Sequence, residues 1–139
     1  MSPAPKSVII DILHVSNWLQ GRIADLLRDQ NLSLQQAKVL AILAGEPEQC
    51  ATVKTIRDKM QDPMSNVSRL LNKLMEKGFI RKEHGSEDQR VVYIHLTPSG
   101  DAARHLATTT IDQGLDALCH LTEDELRDLD RVLNRLKDH

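Results

Sequence analysis

Between Pro63 and Lys77 the chain carries short, polar and cationic side chains at helical spacing. Val67, Leu70, Leu71 and Leu74 stand at i, i+3, i+4 and i+7, so a helix over 63–77 turns these four toward a core. At about 100° per residue, Ser65, Ser68, Arg69, Asn72 and Glu76 fall on the opposite side, with Asn66 and Lys73 on the flanks. That face suits a DNA major groove about 12 Å wide, where Arg pairs with guanine O6 and N7, Asn with adenine, and Ser with a base or a phosphate. On an isolated helix the same face is also an ordinary solvated surface, because most polar faces meet only water.

Charge is what separates the two readings. The whole chain, with 18 basic against 20 acidic side chains, has a formal charge of −2 and by itself predicts no polyanion partner. Its distribution is uneven: from Lys54 to Arg90 nine Lys or Arg face six Asp or Glu, and the rest of the chain has nine against fourteen. A basic middle between acidic flanks suits phosphate neutralisation with counterion release, although an excess of three is a modest signal.

Other chemistry finds little support. His14, His84, His95, His105, His120 and His139 show neither H-x-x-x-H nor H-E-x-x-H spacing, and Cys50 and Cys119 do not form a zinc pattern, so no metal or other cofactor is expected. Cys50 precedes a short helix whose N-terminus could lower its pKa, which leaves a redox role for either cysteine open. There is no phosphate-cradling glycine loop, no nucleophile elbow and no paired acid and base, so the chain does not read as an enzyme.

The elements that hold the cationic helix can be read from periodicity and caps. Val8, Ile12, Val15, Leu19, Ile23, Leu26 and Leu27 predict a long amphipathic helix from Ser7 to about Asp29. Ser33 with Gln36 caps a second helix that stops at Gly45 and Pro47, and after a polar loop Thr52 caps a short third. Asp62 followed by Pro63 predicts the start of the cationic helix, and Gly78 its left-handed end. Phe79–His84 and Arg90–Leu96 then change to a period of two around a polar turn, which predicts a β-hairpin. Thr97 with Pro98 opens a helix to about His120, and Thr122 with Glu125 boxes a last helix in which Leu126, Leu129, Leu133 and Leu136 form a seam. Three short helices followed by a hairpin make a winged helix-turn-helix, so the expected fold is mainly α with a two-stranded β-hairpin wing. With 139 residues and 40% hydrophobic content, one domain over 1–139 is expected, its lobe at about 33–97 flanked by long helices at about 7–29 and 98–138.

The stretch DQRVVYIHLTPSG, and SNVSRLLNKLMEKGFIRK before it, resemble the MarR family of bacterial transcription regulators. The family's wing has D-x-R, alternating apolar residues and L-T-x-x-G, matched here by Asp88, Arg90, Ile94, Leu96, Thr97 and Gly100. With the flanking helices the similarity covers nearly the whole chain. It implies a homodimer on a short pseudo-palindromic operator in double-stranded DNA; a repressor is expected, and activation of transcription is equally compatible with the same residues. Ser65, Asn66, Ser68 and Arg69 would meet the major groove and Lys73 a phosphate, while Arg90, held by Asp88, would reach the minor groove. That last role has an independent reason, because a narrow minor groove attracts a guanidinium and an anchored one loses less entropy on entry. The bland alternative for Asp88 and Arg90 is a simple hairpin ion pair.

The first helix and the last two carry more apolar stripe than one small winged lobe can cover. Pairing through Ile12, Leu126, Leu129, Leu133 and Leu136 is therefore expected, with intrachain burial of the leucine seam as the alternative. Trp18 is either core or the lining of a cavity for a small-molecule effector of unknown identity. Without a long apolar run, and with Asp11 following only Val8, Ile9 and Ile10, a cytoplasmic protein without a membrane partner is expected. The competing class is a helical protein-protein interaction module that never touches DNA; salt dependence of binding separates the two.

Overall fold

A computed structural model describes residues 2–61 and 66–138. Helix α1 (Pro5–Leu27) runs on through a 3-10 turn (Arg28–Gln30) to Asn31, whose left-handed φ of 53° ends it. Helix α2 (Leu34–Gly45) starts at the Ser33–Gln36 capping box, in which each side chain binds the other residue's backbone N–H. Thr52 caps α3 (Val53–Met60) through the Thr55 N–H, and α4 (Val67–Glu76) follows. Gly78, at φ 76°, takes the left-handed turn beyond α4. Strands β2 (Ile80–His84) and β3 (Val92–Leu96) pair antiparallel. Thr97 caps α5 (Pro98–Leu118) and the Thr122–Glu125 box opens α6 (Glu123–Lys137).

Two expectations need correction. The segment before α3 is not all loop: Cys50–Thr52 forms β1, which pairs antiparallel with β3 and makes a three-stranded sheet in the order β1-β3-β2. Three residues are too few to show alternation, and the pairing comes from a strand more than forty residues downstream. The cationic helix also does not run unbroken from Pro63. Asn66 has an extended ψ of 90° and is the N-cap of a helix that begins at Val67. The Asp62–Pro63 cap signal and Ser65 lie outside the described residues.

The core lies where α2, α3, α4 and the inner face of the sheet meet the end of α1. Leu27, Val39, Leu40, Leu43, Ile56, Leu74 and Ile94 are fully enclosed there. Helix α5 returns across α1 and α2, and at Gly114 it comes so close that an added Cβ would lie 2.3 Å from a Leu26 methyl. Beyond this lobe the apolar stripes lie bare. Val8, Ile9, Ile10, Leu13, Val15 and Trp18 on α1 are exposed, as are Leu126, Leu129, Val132, Leu133 and Leu136 on α6, so the leucine seam is not buried within the chain. Among the described residues, no helix is long and apolar enough to cross a membrane.

Candidate nucleic-acid interface

Helix α4 is sharply two-sided. Val67, Leu71 and Leu74 are buried and Leu70 half-buried, while Ser68, Arg69, Asn72, Lys73 and Glu76 are exposed on the other side. The helix starts at a side-chain cap: Asn66 Oδ1 accepts the Arg69 N–H at 3.1 Å. The side chain expected to read a base therefore already has its carbonyl engaged in starting the helix, and the Asn66 amide N–H groups remain on the exposed side. Lys73 makes only a loose contact with Glu76, at 3.8 Å, and Arg69 has no carboxylate partner among the described residues.

The second cationic element is the wing. The loop joining β2 to β3 closes through Gly85 N–H to the Val91 carbonyl at 2.9 Å and Val91 N–H to the Asp88 carbonyl at 3.1 Å. Gly85 is needed there, because a Cβ would sit 2.7 Å from the Asp88 carbonyl oxygen. Asp88 Oδ1 accepts both the Arg90 backbone N–H at 3.0 Å and the Arg90 Nε–H at 3.3 Å. The Arg90 side chain is nonetheless 94% exposed. One carboxylate oxygen thus orients the root of the guanidinium and leaves its terminal nitrogens in solvent.

The basic middle of the chain is less free than its composition implies. Lys54 pairs with Asp58, Lys59 with Glu46, and Arg81 with Glu83. Lys77 turns inward to the Asn31 carbonyl and to Gln36 Oε1. Burial, and then the neighbouring Lys73, hold its ammonium below the ordinary range of a lysine. Among the described residues of 54–90, the cations left without a partner are Arg57 on α3, Arg69 on α4 and Lys82 on β2, and Arg90 projects from the wing beyond its Asp88 anchor.

The outer face of the sheet brings together a group that the sequence did not reveal. Cys50 Sγ lies 3.6 Å from His95 Nε2, which lies 3.0 Å from Glu83 Oε2. Burial, then Glu83 and Glu48, push the Cys50 thiol up, against a smaller opposing effect of Arg81. The expected lowering by a helix N-terminus is thus reversed: Cys50 is on a strand, and the carboxylates of Glu83 and Glu48 outweigh the Arg81 guanidinium.

Three of the five residues expected to pair two copies lie together. Ile12, Leu129 and Leu133 line a cleft of about 480 Å³ between α1 and α6. A second cleft of about 450 Å³ is lined by Trp18, Leu115, Cys119, His120 and Leu129, and Arg22 stacks over the Trp18 ring at 5.9 Å. Trp18 is exposed, not core.

Sequence reasoning also missed the junction behind the reading helix. The Gly78 carbonyl accepts Thr97 Oγ1–H at 2.7 Å and Ser99 Oγ–H at 2.9 Å, and Thr97 N–H reaches the Phe79 carbonyl at 3.1 Å. Gly100 packs on that carbonyl so closely that a Cβ would lie 2.0 Å from its oxygen. The L-T-x-x-G signature that marked the resemblance is thus a joint between the start of α5 and the end of α4.

A buried-core lobe with a capped cationic helix, a hairpin wing and long flanking helices defines a winged helix-turn-helix protein. A model of the MarR family matches residues 30–91. The chain is 30% identical over 111 residues to the HTH-type transcriptional regulator MgrA of Staphylococcus aureus, covering 80% of this chain and 74% of that one. Among solved structures it resembles Sco3205, a MarR family transcriptional regulator from Streptomyces coelicolor in complex with DNA. The TM-score is 0.85 at 16% identity, over 98% of this chain and 87% of that one. It also resembles BpsR of Bordetella bronchiseptica, whose DNA binding is regulated by 6-hydroxynicotinic acid, with a TM-score of 0.84 at 18% identity over 99% of each chain. The chain belongs to the MarR family. It is a transcription regulator of winged helix-turn-helix type and not an enzyme.

Proposed function

We propose that this protein acts as a homodimer that binds a pseudo-palindromic operator and represses transcription by occupying it. In this reading residues 1–139 form one unit. The lobe at about 33–97 reads DNA, and the helices at about 7–29 and 98–138 pair two copies. Ser65, Asn66, Ser68 and Arg69 of each subunit approach base edges in a major groove and Lys73 a phosphate. Arg90, steadied by Asp88, enters the flanking minor groove. The single observation that carries the reading is Arg90: an almost fully exposed guanidinium held at its root by one carboxylate is oriented but unsatisfied. An ordinary surface ion pair is worth about 0 to 1 kcal/mol and gives no reason to project the charge from the tip of a hairpin. Sco3205, with the same fold, was solved in complex with DNA, which supports the reading.

Dimerisation is supported by the bare leucines of α6 and the apolar N-terminal half of α1. Covering the roughly half of each such side chain still exposed is worth about 0.7–1.5 kcal/mol, and an isologous two-fold contact covers each of them twice. A dimer would set two copies of α4 about one helical turn of duplex apart, or about 10 base pairs. A small-molecule effector lodged beside Trp18 would release the operator by favouring a different spacing, and BpsR offers the precedent of regulated DNA binding. Such a regulator works in the cytoplasm, where its operator is.

The test is selection of bound duplexes from a random pool by the purified protein, followed by salt titration of the recovered sequence. A palindromic consensus is expected, with Arg90→Ala weakening binding and flattening the dependence of log K on log salt by about one unit. Recovery of no preferred duplex at low ionic strength would overturn the reading in favour of a helical interaction module.

A further inference from the structure

Lys77 lies at the C-cap of α4, yet its ammonium points away from the exposed face. Nζ donates to the Asn31 carbonyl and, at 3.0 Å, to Gln36 Oε1. Both acceptors belong to other joints. Asn31 is the left-handed residue that ends the extension of α1. Gln36 Oε1 already accepts the Ser33 N–H at 3.2 Å in the capping box that starts α2. Immediately before Asn31, Gln30 Nε2 donates to Thr110 Oγ1 of α5 at 2.8 Å. A single lysine therefore ties the end of α4 to the point where α1 stops, α2 starts and α5 crosses.

We infer that Lys77 is a positioning residue for duplex reading: it fixes the orientation of α4 relative to the end of α1, so that the spacing of the two reading helices follows the long helices. This rests on the DNA-binding reading above. The geometry explains why a lysine serves here. Its long stem reaches a carbonyl 46 residues away in sequence, and its three donors satisfy two acceptors from different elements at once. The opposite end of the joint is held from α5 through Thr97 and Ser99, so α4 is gripped from both long-helix roots. A cation spent in this way is withdrawn from the phosphates, although composition alone counts it among the basic residues of the lobe.

The test uses the full-length protein and the duplex selected by the wild type. Lys77→Met, which keeps the stem and removes the donors, should weaken binding to that duplex about five- to tenfold. Binding to a random duplex and the salt slope should be unchanged, while Lys73→Met should flatten the slope by about one unit. A second variant, Gln36→Glu, preserves both the capping box and the acceptor and should retain wild-type discrimination. A flatter slope for Lys77→Met, with equal losses on selected and random duplexes, would make Lys77 a phosphate contact and overturn the inference. A DNA-free readout separates this from failure of the DNA-binding reading. Amide exchange in Lys77→Met should accelerate at 28–36 and in the last turn of α4 but not in α6. Unchanged exchange at 28–36 would overturn the joint whether or not any duplex binds.

Discussion

Replacing Gly100 by alanine sets two physical effects against each other, and the structure decides between them. Alanine is the better helix former by up to about 1 kcal/mol, so a helical glycine invites the substitution. At Gly100, in the first turn of α5, the new Cβ would sit 2.0 Å from the Phe79 carbonyl oxygen, 2.8 Å from its carbon and 2.9 Å from a Leu96 methyl. A carbon–oxygen contact relaxes at about 3.3 Å, so α5 and the chain entering β2 must part by more than 1 Å. That displacement stretches the Thr97 N–H bond to Phe79 and the Thr97 and Ser99 hydroxyl bonds to Gly78. Each bond is worth about 0.5–1.5 kcal/mol and the overpacking costs about 1–3 kcal/mol. Net of the propensity gain, Gly100→Ala should destabilise the protein by about 2–5 kcal/mol. The control is Gly21→Ala in α1, where nothing lies within 4 Å of the added carbon and stability should rise by about 0.5–1 kcal/mol. Urea unfolding at one fixed protein concentration measures both. Gly100→Ala as stable as the wild type, or the two variants shifting in the same direction, would refute the close-approach account.

Other expectations are independent of this one. Asn66→Ala should lose about 1 kcal/mol of stability with the cap, whereas Asn66→Asp should keep the cap but weaken duplex binding by adding an anion to the reading face; urea unfolding and fluorescence anisotropy separate the two. If the proposed dimer forms through the exposed seam, Leu133→Lys should convert it to monomers in sedimentation velocity while leaving the helical signal of the lobe intact. Because burial and two glutamates raise the Cys50 thiol above its ordinary value of 9.0, the folded state keeps a proton there that the unfolded chain releases. This contribution to stability is complete below 9.0 and is lost as pH rises through the raised value. Iodoacetamide should therefore modify Cys50 more slowly in the folded protein than in urea, with its pH profile displaced upward.

Much of the fold was legible because its signals are local. The Ser33–Gln36 and Thr122–Glu125 boxes, Thr52 and Thr97 all cap the helices they announce, since a cap needs only residues three apart. The pair Asp88 and Arg90 was legible for the same reason. Strand β1 was not, because three residues carry no period and become a strand only when β3 arrives beside them. The break at Asn66 was not legible, because its capping bond depends on backbone angles that spacing does not give. The inward turn of Lys77 and the burden on Gly100 were invisible: each is a contact between elements about twenty or more residues apart, which spacing rules do not reach.

Strand β1 has one further consequence. It runs directly into α3 while pairing along the same strand that descends from the hairpin tip, so the hairpin cannot swing about its base without tearing that ladder. The wing is thus tied to the helical lobe through α3, and α4, packed on both α3 and β2, is held in the same frame. On the proposed operator, a mismatch between that frame and the width of the grooves would be taken up by bending or narrowing the duplex, and base pairs that no side chain touches would still affect affinity through their stiffness.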